Sequence, residues 1–537
     1  MGWLSVEVQD ILTDRKTIMS NDENGQSETS PSPNSSCRAP LIPNKARKRF
    51  TIRLVWCLCL AVSIGSESVQ ATVFSWSGAG GNVSWTTAAN WHGSIPTSGA
   101  DLVFPASVPT LANVNDLAAG TEFNSITISG NGYSLSGNAI VLGNAAGSGS
   151  LTLNSGLTGN IAFNIQLGAP GAGQQFFIVN SAANLTLSGQ LSGTTGVELT
   201  KQGTGTLVLS GNNSAFTGPI FIPASSGMLT IANANALGGL SAGTIVGANS
   251  QLQVATVSGA IQEGLDLNGF GVANDGALLN LAGNNVWSGG ITLDSDSAIG
   301  ASAGALNITG QIGDLGSGHN LTKQGGGVVL FSNPNGNTYR GVTVINNGTL
   351  LVNNTNGSAT GANAVTVASS IVGHGVLGGA GIIGGPVTVQ SGAMIASPVN
   401  SGTLAFTGAV TNNGTIIASN GCVIAFFGPV LNNGVITTSG GTIRFYSTLT
   451  NNGTIPPYSI LSLPVRVGND AQVAWTGLAG SNYVLQAATN LGNAGGAFHD
   501  ISPVITVQGS GEGVTNYLDA GAFTNSTIQF YRVRSSP

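Results

Sequence analysis

The chain has 537 residues, of which 81 are glycine, and only 7% are charged against a usual share of about 25%. That balance excludes the surface of an ordinary cytosolic enzyme. The net charge of −6, with eight of the fifteen basic residues placed before residue 54, also excludes a nucleic-acid footprint of clustered Lys and Arg. Because 41% of the residues are hydrophobic and alternate with Thr, Ser and Asn in short runs, many short strands are predicted rather than disorder.

Residues 1–44 are polar and without period, and read either as a disordered stretch or as a start placed too far upstream. Next come Lys45, Arg47, Lys48, Arg49 and Arg53, the apolar run from Leu54 to Ile64, and Val69-Gln70-Ala71. Cations, a short apolar core and a small-residue site in that order read as a secretory signal peptide over 45–71, too short in its apolar part to span a bilayer. Cleavage after Ala71 leaves Cys422 as the remaining cysteine, so no disulfide within the chain staples the fold. No membrane span is expected in the mature chain.

Residues 72–119 hold Trp76, Trp85 and Trp91, three of the seven tryptophans. Aromatic faces suit sugar rings, but a first coil also needs an atypical outer layer to hide its strand edge. The segment is therefore assigned as an N-terminal cap.

Leu199-Thr200-Lys201-Gln202-Gly203-Thr204-Gly205 returns as Leu321-Thr322-Lys323-Gln324-Gly325-Gly326-Gly327, and flanking segments match at the same offset. Self-similarity of this kind means stacked units rather than one closed core. Past residue 400, Asn-Asn-Gly recurs at Asn412, Asn432 and Asn451, each time followed by Ile416, Ile436 or Ile455 on entry to the next strand. Those spacings of 20 and 19 residues suit one coil of a solenoid. The triplets are expected at corners, with left-handed backbone at Gly434 and stacked Asn side chains bonded into ladders. At about 20 residues per coil, 120–456 would make about 17 coils and a rod about 80 Å long.

Trp85 to Trp91 with Pro96 and Gly99-Ala100-Asp101, the two Leu-Thr-Lys-Gln-Gly units, Gly348-Thr349-Leu350 and the Gly-rich run Gly375 to Val389 resemble bacterial proteins with autotransporter-associated β-strand repeats. The resemblance covers about residues 72 to 400 and implies a passenger-type β-solenoid; it implies no particular chemistry. The fold expected from both readings is all-β: a right-handed parallel β-helix over 120–456, followed by a small antiparallel β-sandwich over 459–537. That last module is similar to immunoglobulin-like or fibronectin-like domains, with strands near Trp475, Tyr483, Val504 and Tyr531. A translocator barrel, which such passengers commonly precede, needs far more residues than this module supplies.

Solenoids of this class include polysaccharide lyases and hydrolases, which need paired carboxylates or a base beside a cation. Asp294 and Asp296, at i and i+2, are the best such pair and would share a strand face. Gly373-His374-Gly375 lacks the aspartates and basic residues of a hydrolase motif and reads as a turn. His92, His319 and His499 are scattered, so no catalytic, cofactor or metal site is assigned. Lys201 and Lys323, at one repeat position, are expected to share a structural role, pairing with a carboxylate or laying their stems along the ladder. The resulting expectation is an exported, non-enzymatic β-solenoid acting as a cell-surface, matrix or adhesion component. Its expected partners are extracellular polysaccharide or other surface proteins, with weak glycan contacts through Trp76, Trp85, Trp91 or Trp475. The alternative is a divergent polysaccharide lyase or glycoside hydrolase of the β-helix class.

Overall fold

A computed structural model describes residues 71–537 apart from 144–146, 169–172, 194–195, 241, 371–372, 397–401, 420, 456–458, 462, 489–497, 510–511, 525–529 and 537. The polar stretch 1–44 and all but the last residue of the signal segment 45–71 lie outside the described residues.

Short alternating runs make the ladder. In Asn184–Leu187, Leu185 and Leu187 point into the core while Thr186 stays partly exposed, and the same period of two governs Thr206–Leu209 and Val328–Phe331. One such strand buries a single face, so it gains stability only by stacking. Each pairs in parallel with the equivalent strand of the next coil: Val73 with Asp101, Phe177 with Lys201, Val430 with Leu449. The result is a parallel β-solenoid of about 15 turns. This is fewer than a uniform 20-residue coil would give, because paired residues lie 28 apart at Val73 and Asp101 and 26 apart at Leu153 and Val179, against 20 at Val410 and Val430 and 19 at Val430 and Leu449. Most upstream coils carry longer corners, whereas the Asn-Asn-Gly coils are uniformly tight.

The ladder begins inside the segment assigned as a cap, since Val73–Ser75 already pairs with Ala100–Phe104. Trp76, Trp85 and Trp91 fill its first coils at 0%, 0% and 3% exposure. Trp76 and Trp85 each meet Trp91 edge to face, at 5.2 and 5.6 Å. Their indole N–H groups are satisfied as well, Trp85 by Asn113 Oδ1 at 2.7 Å and Trp76 by the Thr110 carbonyl at 2.9 Å. A single turn of 3-10 helix, Ala88–Trp91, brings the third indole inward. The tryptophans are plugs, and the sugar-stacking reading fails for them.

At the other end, Phe406, Phe426 and Phe445 stack at 5.3 Å per coil in the core. The Asn triplets form the ladder expected of them: Asn412 donates to Asn432 at 2.8 Å and Asn432 to Asn451 at 2.7 Å. A second ladder runs beside it through Asn413, Asn433 and Asn452. The left-handed backbone expected at Gly434 is not observed, since it is absent from the residues with positive φ. Its requirement is steric instead: a Cβ there would lie 2.1 Å from the Gly414 carbonyl oxygen of the coil below.

The chain ends in two small antiparallel sheets. Asp470–Leu478 pairs with Glu512–Asp519 in one, and Asn482–Ala488 with Phe530–Ser536 in the other. Ala471, Val473, Trp475, Tyr483, Leu485 and Val507 form the core they enclose, separate from that of the solenoid. Trp475 is fully buried there, so it offers no ring face to a glycan.

Candidate functional site

The repeated lysines carry the most unusual polar geometry. Lys201 occupies an inward-facing position of Glu198–Gln202 and is fully buried, yet no carboxylate among the described residues meets it. Its Nζ donates instead to the carbonyls of Gly203, Gly205 (2.7 Å) and Ser226. Lys323 repeats the arrangement with Gly325, Gly327 (2.7 Å) and Asn347 (2.7 Å). The expected shared role is therefore present, but carbonyl oxygens replace the expected carboxylate. Two acceptors belong to the lysine's own turn and the third to the next coil, so each ammonium clips a corner to its neighbour. Left-handed φ at Gly203 (+77°) and Gly325 (+76°) makes the turn that aims those carbonyls inward. Burial pushes both ammonium groups down to about 7. The three oxygens oppose that shift, because an ammonium has three protons to donate and a neutral amine two.

The straight strand assumed for Asp294 and Asp296 is interrupted, since the register of its pairing shifts across them. In the strand Ile291–Ala301, Ile291 to Leu293 pair with Leu265 to Leu267, Ser297 to Gly300 pair with Leu321 to Gln324, and the register shifts in between. Asp296 accepts from the backbone N–H and side-chain amide of Asn320, each at 2.8 Å, with His319 Nδ1 at 4.0 Å. It fastens one corner to the next. Asp314 is likewise committed: burial alone would raise its carboxyl, but backbone N–H donors from Arg340, Gly316, Gly318 and His319 hold it below the usual carboxylate range. Glu263 is the exception, 4% exposed with one carboxylate oxygen unpartnered. Burial pushes it up to about 7, against the Thr244 hydroxyl and the Gly243 backbone.

His374 is exposed where it pairs antiparallel with Ser369, and its Nδ1 lies 2.9 Å from Ser369 Oγ. Among the described residues no three His, Cys, Asp or Glu side chains gather so as to hold a metal ion. Cys422 is buried in Cys422–Phe426.

Two groups were missed in the sequence. Phe427 and Tyr446 stack at 4.7 Å and 7° on the outside of successive coils, 50% and 63% exposed. Each directly follows an inward phenylalanine, Phe426 or Phe445, so strand alternation alone would have turned it outward. The lysine clips were invisible for another reason: a lysine at a repeated position says nothing about three backbone oxygens contributed by two coils.

A family model described as passenger-associated-transport-repeat matches residues 199–224 and 321–352, the two segments that contain Lys201 and Lys323. The chain is thus a β-solenoid that carries two segments of this repeat type. It is also similar to the adhesin BmaC autotransporter of Brucella suis biovar 1 (strain 1330), with 34% identity over 213 residues. That match takes in 37% of this chain and spans 5% of the adhesin's length. No solved structure matches the chain. Each matched segment holds one of the buried ammonium groups that tie coil to coil.

Proposed function

We propose that this passenger-repeat solenoid is an exported, non-enzymatic component of the cell surface or extracellular matrix that works in adhesion. The observation that carries the reading is the similarity to an adhesin passenger at 34% identity, joined to a solenoid whose repeated polar residues are engaged in holding its own coils. Lys201, Lys323, Asp296 and Asp314 are each committed to backbone groups of neighbouring turns. Polysaccharide cleavage would need an acid and a base converging on a groove, and these groups are anchored elsewhere. The signal reading of 45–71 supports export, with the mature chain starting near Thr72.

The partner we propose is extracellular polysaccharide, contacted on the solenoid flank through Phe427 and Tyr446. Their apolar rings stand out from a polar ladder and suit the apolar faces of sugars. The test is retention of the purified chain on immobilised polysaccharides, compared with a Phe427→Ser, Tyr446→Ser variant. Retention that falls several-fold with an unchanged melting curve is expected. Equal retention of variant and parent would move the contact elsewhere on the surface.

A further inference from the structure

Every coil of a solenoid covers the core of the one before it, and the last coil has no successor. Here the last coil holds Thr442–Phe445 and Leu449–Asn451, which end their ladders. Its inward residues Ile443 and Phe445 should therefore be open to water. They are 3% exposed each. Among the described residues, the C-terminal module supplies one side chain to the apolar cluster that contains them, Leu478 of the strand Asp470–Leu478. This side chain is 6% exposed and belongs to the apolar cluster of the solenoid, while Val473 and Trp475 of the same strand belong to the module's own core. A second contact stands beside it. Arg444, on the terminal strand, donates its Nη1 to Glu512 Oε2 at 3.2 Å, and Glu512 is the residue paired in register with Leu478. One corner of the module thus supplies both an apolar plug and a carboxylate, and the last coil supplies a matching open core and a guanidinium.

We infer that the C-terminal module is the end cap of this solenoid: it seals the terminal coil and keeps a bare ladder edge from pairing with a second copy of the chain. Open strand edges over an apolar core template further pairing unless something covers them. The inference gives the module a role that does not depend on the weak glycan contact expected through Trp475, whose ring is buried. It stands independently of the adhesion reading.

The test uses the full chain. Leu478→Asp should undock the module, raising hydrogen exchange about tenfold or more in Thr442–Phe445 and Leu449–Asn451 and promoting self-association in light scattering. Unchanged Trp475 emission would show the module itself still folded. Charge reversal covers the case in which Leu478→Asp unfolds the module: Arg444→Glu alone and Glu512→Arg alone should each loosen the last coil, and the double variant should restore its protection. Terminal-coil protection that stays at the parental level in Leu478→Asp, or single reversals that the double reversal does not rescue, would overturn the assignment.

Discussion

Replacing Asn432 by Asp changes one nitrogen to oxygen at the centre of the buried ladder and leaves the volume almost unchanged. Asn432 is fully buried, accepts from Asn412 at 2.8 Å, and donates to Asn451 Oδ1 at 2.7 Å. In the Asn432→Asp variant the bond from Asn412 can persist, but the group facing Asn451 becomes an acceptor opposite an acceptor. When ionised it is also a buried charge with no cation beside it among the described contacts. A lost hydrogen bond of this kind costs about 1 kcal/mol, and an unsatisfied, desolvated oxygen adds about 1–3 kcal/mol. Protonation of the new carboxyl removes most of the second cost, since the O–H can donate to Asn451. Burial therefore raises the folded pKa of the new Asp above its unfolded value of about 3.9. A raised folded pKa means stability that is present below the unfolded value and lost as pH rises. The variant should melt close to the parent at pH 3.5 and about 3 kcal/mol below it at pH 8, with exchange rising first in Val430–Asn432 and Val435–Ser439. Equal melting of variant and parent at pH 8 would refute the ladder as a contributor to stability.

Gly434→Val should destabilise by about 2 kcal/mol or more, because the added carbon falls 2.1 Å from the Gly414 carbonyl oxygen; an unchanged melting curve would mean that the coils do not stack this closely. Lys201→Met strands the carbonyls of Gly203, Gly205 and Ser226, and a local loss of about 1–3 kcal/mol is expected. Hydrogen exchange around those residues reads it, and exchange equal to the parent's would dismiss the clip. Glu263, pushed up to about 7 by burial, stabilises the fold least when ionised, so Glu263→Gln should raise the melting temperature at pH 8 and leave it nearly unchanged at pH 5, by about 1–3 kcal/mol at the higher pH. The opposite pH trend would show that the carboxylate has a cationic partner in solution. N-terminal sequencing of exported material should begin within a few residues of Thr72, and a start near Met1 would sink the signal reading.

How much of this could be read from the residues varies by region. The Asn-Asn-Gly coils were legible because period, corner residue and inward Ile repeat in one short register, and the pairing of Asn412, Asn432 and Asn451 follows from it. The coil count was less so, since corners upstream of residue 400 vary in length and nothing in the strand pattern fixes them. Gly434 was placed at the right position for the wrong reason: sequence distinguishes a glycine but not whether dihedral freedom or close approach demands it. Asp294 and Asp296 show the same limit, because i and i+2 share a face only where the strand is regular, and here the register of its pairing shifts across them. The role of Leu478 depends on a contact between modules that no local pattern encodes.

The most direct measurement is turnover by the purified chain on pectins, glucans and other polysaccharides, followed by reducing-end or unsaturated-product release alongside retention on the same polymers. Retention without product release is predicted. Product release that disappears in an Asp294→Ala, Asp296→Ala double variant with an unchanged fold would contradict it and make this solenoid an enzyme.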